Sequence, residues 1–361
     1  MAILFMVVFG VGCRPAMLAE LPDDEPADVR PDPEVVRRSI DSALEYTLNR
    51  RRLNSVDHGA WQVLHGVLAF QREFPIQVGR DGPIQPALDY LLGGGTVDGW
   101  KLKPGTRFDD GRTGVWAMVE PGTKRGQGHV DQWLAYLAQC GLPADQSIQV
   151  EGQTFRIEDW IRQVQYDVSK NADREYSWTL IGLSAYLPAD AEWRAADGEL
   201  WNIERLVGIE LDQNLHAGAC GGTHRMIGIT EAVNRHVADG GPLTGHWARA
   251  EELIQECIRN ARRMQNSDGS FSAHYFQRPG QSDDLATTLG TTGHILEFLS
   301  LALRSQQIQE RWVERAAMKL SDSFAALESV APECGALYHA AHGLVLYRHR
   351  RFGPRSYTAR G

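Results

Sequence analysis

Apolar residues recur along this chain in two alternating helical patterns. In the first they form a single stripe. After Asp32-Pro33, a capping residue followed by a first-turn proline, Val36, Ile40, Ala43, Leu44 and Leu48 fall on one side, opposite Arg37, Arg38, Asp41 and Glu45. In the second they cover every side: from His58 to about Glu73, Ala60, Trp61, Val63, Leu64, Val67, Leu68, Ala69 and Phe70 leave no polar face. A helix with one apolar stripe keeps a wet side, whereas a helix that is apolar all round must be surrounded by protein.

The alternation runs to the C-terminus and predicts twelve helices. Amphipathic, outer-type helices are expected over 33–53, 83–93, 157–170, 200–215, 246–265 and 311–328. Buried, inner-type helices are expected over 58–73, 128–140, 175–187, 220–237, 284–304 and 334–350. Six outer and six inner helices predict an all-α fold, an α/α toroid of about six helical hairpins. An open solenoid would expose both members of each pair alike. A small β-hairpin is expected near 147–157, turning at Glu151-Gly152, and long Gly- and Asp-rich loops at 93–127 and 266–283.

The N-terminus changes the picture of where the protein works. MAILFMVVFGVGC is an apolar run too short to span a bilayer. It ends in Gly10-Val11-Gly12-Cys13, which resembles a bacterial lipoprotein box with Cys13 as the lipidated residue. Residues 14–32, rich in proline and acids, read as a tether that cannot bury a core. The expected organisation is a signal-like segment over 1–13, a tether over 14–32, one helical domain over 33–352 and a flexible tail over 353–361. The location would be extracytoplasmic, membrane-anchored or secreted; the other readings of the first residues are a buried or interfacial segment or a misassigned start codon. Net charge is −9 and the basic residues are scattered, which excludes a nucleic-acid-binding face.

Gln265-Asn266-Ser267-Asp268-Gly269-Ser270-Phe271, directly after an outer helix, resembles the Q-x-x-D-G-S-W/F repeat of squalene and oxidosqualene cyclases, and Asp98-Gly99-Trp100 resembles a shortened copy. The resemblance implies the α/α toroid of the terpenoid-cyclase and protein-prenyltransferase superfamily, in which this motif is structural. The catalytic sequences of these families have no full counterpart. Gln281-Ser282-Asp283-Asp284 carries Gln where D-x-D-D begins, no D-x-C zinc motif occurs, and Ala219-Cys220-Gly221-Gly222-Thr223 lacks the Glu and Gln of a thioester site.

Candidate chemistry lies in the first turns of the inner helices, which would converge on one mouth. These contain His58; His129, Asp131 and Gln132; Glu175 and Ser177; Cys220, Thr223, His224 and Arg225; Asp283, Asp284 and Thr287; and Cys334, Tyr338 and His339. In an acid–base reading His129 and His224 exchange protons, Asp131, Glu175 or Asp283 orient them, and Arg225 fixes an anion. His58, Asp284, Tyr338 and His339 would complete a ligand site. In a zinc reading Cys220 with His224 and Cys334 with His339 are soft-ligand pairs. A carbohydrate-active hydrolase or lyase would use the same carboxylates, or His224, Arg225 and Tyr338, with Trp61, Trp116, Trp133 and Trp178 as stacking surfaces. The same residue types also serve as helix caps and buried thiols in a non-catalytic scaffold, the cysteines could pair as disulfides, and His65 and His342 read as core histidines.

Overall fold

The computed structural model describes residues 30–171, 175–329 and 333–357. The lipoprotein-like segment with Cys13 and most of the expected tether lie outside the described residues.

Twelve α-helices occupy the described residues: α1 (Pro33–Arg50), α2 (Ala60–Phe70), α3 (Ala87–Leu92), α4 (Gln132–Gln139), α5 (Ile157–Asp167), α6 (Ser177–Tyr186), α7 (Ile203–Leu211), α8 (Thr223–Ala238), α9 (Gly245–Arg263), α10 (Leu285–Ala302), α11 (Arg311–Ala325) and α12 (Cys334–Phe352). Each falls within a predicted segment or within a residue or two of it. The even-numbered helices are buried around most of their circumference. The odd-numbered ones bury a stripe, as in α9 with Trp247, Ala250, Ile254, Cys257, Ile258 and Ala261. None of these helices is long and apolar enough to cross a membrane.

The buried helices pack in sequence, α2 on α4, α4 on α6, α6 on α8, α8 on α10 and α10 on α12, and α12 packs back on α2. Of the amphipathic helices, α5, α7, α9 and α11 each lie against two consecutive buried ones, while α1 covers α11 and α12. Mid-helix glycines let the buried helices approach. A Cβ on Gly293 would stand 2.6 Å from Ala340 Cα, and one on Gly228 would stand 2.5 Å from Ser177 O. Glycine inside a helix costs about 1 kcal/mol against alanine, so here the close packing more than offsets the propensity.

Among the described residues, four two-stranded antiparallel hairpins decorate the helices, and one of them is legible from the sequence. That one is β5 (Ser147–Val150) with β6 (Gln153–Arg156), turning at Glu151-Gly152. The others are β1 (Pro75–Gln77) with β2 (Ile84–Pro86), β3 (Leu102–Arg107) with β4 (Thr113–Ala117), and β7 (Glu192–Arg194) with β8 (Leu200–Asn202). Strands β2 and β8 take the first residues of the predicted helices 83–93 and 200–215. Their backbone groups pair across the hairpin and leave shorter helices α3 and α7.

Two further expectations are corrected, one for Asp41 and one for the cysteines. Asp41 is buried rather than on the wet side of α1, because Arg348 Nε donates to its Oδ1 at 3.0 Å and Tyr357 OH at 3.1 Å. In the segment expected as a tail, Tyr357 is buried against Phe70. Cys140, Cys220, Cys257 and Cys334 are all unpaired.

The Gln265–Phe271 segment closes the end of α9 onto α11. Gln265 Nε2 donates to Gly269 O at 2.9 Å and to Trp312 O at 2.7 Å, Lys319 pairs with Asp268 at 2.9 Å, and Phe271 meets Trp312 edge-on. Gly269 has φ +90° and lies so close to Arg315 O that a Cβ would stand 2.7 Å away. Gly99, in the shortened copy, shares the left-handed backbone and crowds Arg125 O.

Candidate functional site

The N-terminal approaches to α4, α6 and α8 bring His129, Glu175 and His224 together, and α10 and α12 add His294, Glu297, His339 and His342 from deeper turns. Local backbone sets the entry. Asp131, the N-cap of α4, is left-handed (φ 61°), and so is Cys220 (φ 48°) just before α8. Each conformation starts its helix later than the periodicity predicts, at Gln132 and Thr223. Tyr275 is left-handed too, and its ring packs so tightly on Gly221 that a Cβ there would stand 2.3 Å away. Three non-glycine residues in a sparsely populated backbone region thus border one site, where such strain persists only when the surrounding packing enforces it.

His129 Nδ1 lies 2.6 Å from Glu175 Oε1, in a pair that is partly open to solvent. The His129 ring is 5.7 Å from that of His224, which also lies against Trp178 at 4.7 Å, His294 at 5.2 Å and His339 at 5.6 Å. His224 is buried, and neither of its ring nitrogens has a hydrogen-bond partner. Burial, reinforced by the neighbouring imidazoles, holds its pKa well below the usual histidine range.

His294 donates from Nδ1 to Gly290 O at 2.6 Å, and its Nε2 is unpartnered. Burial opposes its charge, but Cys220 and Glu297 overcome that and raise its pKa to about 9. Glu297 accepts from His339 Nδ1 at 3.0 Å and from His342 Nδ1 at 2.8 Å. Burial works against the Glu297 carboxylate, yet these two imidazoles lower its pKa to about 2. His294 and His339 stack with centroids 3.9 Å apart. A cavity runs on from His224, Glu297, His339 and His342 along walls of Leu68, Ile181, Ile227, Leu301 and Leu346.

Other predicted residues stand elsewhere or are already engaged. Asp131 accepts from Thr179 Oγ1 at 2.6 Å, and burial raises its pKa to about 6. Arg225 is buried and donates to Glu210 Oε2 at 2.7 Å and to Asn214 O at 2.8 Å, so it braces α7 against α8 instead of facing an anion. Asp283 and Asp284 are exposed at the start of α10, where Asp284 caps Thr287 N. His58 Nδ1 accepts from Asn54 N within a turn. Tyr338 is buried edge-on to Phe74. Cys334 sits 3.9 Å from Gln62 Nε2, apart from the histidines, while its predicted partner His339 joins them. Of the four tryptophans, Trp133 and Trp178 are buried and Trp116 is exposed on β4.

His65, read as a core histidine, is one: Nδ1 donates to Trp61 O at 2.5 Å and Nε2 accepts from Tyr136 OH at 3.2 Å. His294, Glu297 and Tyr275 were missed. For His294 and Glu297 the signal was present in the sequence, since an ionisable pair three residues apart on an otherwise uncharged buried helix is costly unless it is satisfied or used.

Among the described residues, three sets of side chains could hold a metal ion, each with its ligand atoms within 4.8 Å of one another: Cys220, His224 and His294; His129, Glu175 and His224; and His294, Glu297 and His339. Comparisons with protein-family models, with curated proteins and with solved structures found no match.

Proposed function

We propose that this chain is an exported, lipid-tethered α/α toroid that binds a small ligand beside His129, Glu175 and His224 and acts on it by proton transfer. The toroid is supported by the order in which the buried helices pack, α2 through α12 and back to α2. Kinship with the terpenoid-cyclase and prenyltransferase superfamily rests on the Gln265–Phe271 motif, which ties one helix pair to the next. The tether rests on the Gly10–Cys13 sequence.

The observation that carries the functional reading is His224, 4% exposed with both ring nitrogens unpartnered. An unsatisfied buried polar atom costs about 1–3 kcal/mol. His65 shows what a purely structural histidine does in the same core, with both nitrogens bonded. His224 keeps two open positions, and the His129–Glu175 pair opposite supplies a proton donor or acceptor that solvent can recharge. The uncharged imidazole can then polarise or deprotonate a ligand group held between them.

A site kept at the expense of stability makes an unusual prediction. In protein stripped of metal by a chelator, His224→Leu should raise stability by about 1–2 kcal/mol in urea unfolding, because it removes two unpaired buried nitrogens. A loss of stability of that size would show that His224 is a structural residue and end the acid–base reading.

A further inference from the structure

We infer that Cys220, His224 and His294 form a mononuclear site for zinc or a zinc-like divalent cation, with an open coordination position facing His129 and Glu175. This rests on the preceding reading only in placing function at this end of the helices. The donors are one thiol sulfur and two imidazole nitrogens, a soft to borderline set that suits zinc and disfavours calcium or magnesium. Their ligand atoms lie within 4.8 Å of one another. Tetrahedral zinc at its usual bond lengths asks for separations of roughly 3.3–3.7 Å. Small side-chain rotations cover the difference.

Each ligand is prepared for the role. His294 spends its Nδ1–H on Gly290 O, and a cation that binds at Nε2, beside Cys220, displaces the proton there. Anchoring the far nitrogen of a ligating histidine to a carbonyl is the usual outer-shell arrangement. His224 is buried with both nitrogens open, so it needs no prior bond broken. Cys220 is held in a left-handed turn between Gly218 and Gly222, with Tyr275 beside it, so its position does not depend on a free loop.

The rival sets are weaker. Both oxygens of Glu297 are within hydrogen-bond distance of His339 Nδ1, and one also receives His342, so a cation there would compete with two formed bonds. In the third set His129 and Glu175 are already paired, which suits them better to receiving a proton from a water bound at the open position. Cys140, Cys257 and Cys334 belong to no such three-residue set among the described residues.

The test uses the full chain without a histidine tag, made metal-free and titrated with cobalt(II), then with zinc. One equivalent of cobalt should give a thiolate-to-metal charge-transfer band and the visible bands of a tetrahedral ion, and zinc should abolish both. Cys220→Ser should remove the charge-transfer band and weaken zinc at least about 100-fold, with His294→Gln similarly damaging and Cys257→Ser without effect. Should Cys220→Ser fail to fold, the wild-type chain answers instead: zinc should block alkylation of Cys220 by iodoacetamide, read by peptide mass spectrometry. Absence of a charge-transfer band, or unchanged alkylation in the presence of zinc, overturns the metal site. The stability gain of metal-free His224→Leu would survive that result, which keeps the two readings separable.

Discussion

At the scale of single residues, the molecule tolerates charge in its interior only where each charge has a defined opponent. Arg225 and Glu210 form one such pair, with Tyr176 N also donating to Glu210 at 2.6 Å. Glu231 on α8 is the instructive contrast. It accepts from Gln139 Nε2 at 3.2 Å, and loss of hydration raises its pKa to about 7. A carboxyl whose folded pKa lies above its unfolded value favours folding when protonated. That stability is complete below the unfolded pKa near 4.5 and is lost as pH rises to about 7. Glu231→Gln, which keeps an acceptor for Gln139, should therefore stabilise the protein by on the order of 2 kcal/mol at pH 8 and leave it unchanged at pH 4. Urea unfolding at the two pH values measures this, and equal effects at both would refute it. Residue types in the first turns were legible in the sequence, but their partners were not. Nothing local to Arg225 announces Glu210, which lies one helix earlier and is reached only because α7 packs on α8.

At the scale of elements, helix period and helix contact make opposite demands on glycine. Replacing a helical glycine with alanine gains about 1 kcal/mol of propensity, whereas forcing an atom into a packed contact costs about 1–3 kcal/mol. At Gly290 the nearest obstacle to a Cβ is Ala336 Cβ at 3.7 Å, an ordinary contact. At Gly293, one turn on, the obstacle is the backbone of Ala340, which cannot rotate away. Gly290→Ala should accordingly be neutral or stabilising and Gly293→Ala destabilising by about 1–2 kcal/mol. Matching signs in thermal or urea unfolding would mean that α10 and α12 are not packed this closely. Helix identity was readable because the 3.6-residue period is local to each segment. The hairpins β1–β2, β3–β4 and β7–β8 were not, because strands of three to six residues offer too short a pattern and acquire their pairing from each other.

At the scale of the whole molecule, the proposals for the helical body and for the N-terminal sequence are tested separately. Among its described residues the body has no helix long and apolar enough to cross a membrane, and the proposed attachment rests on the Gly10–Cys13 sequence. If Cys13 carries a lipid, Cys13→Ser expressed in a bacterium should move from the membrane to the soluble fraction, as detergent partitioning and mass spectrometry of the N-terminal peptide would show. A variant that remained in the membrane would remove the lipid reading. The body's own arrangement gathers five histidines, 129, 224, 294, 339 and 342, with Glu175 and Glu297 into one connected site. They come from five separate segments of the chain.

The sequence by itself determined how many helices form, which are surrounded and which keep a wet face, because apolar period and capping act within a few residues. It also marked the helix starts as the polar end, and His129, Glu175 and His224 are there. Only the tertiary structure decided that His294 joins Cys220 and His224, that Cys334 stands apart, and that Arg225 is consumed by Glu210. Those outcomes depend on the rotation of each helix about its axis and on left-handed residues at Asp131 and Cys220. Both are settled by contacts between segments that are distant in the chain, which no local pattern encodes.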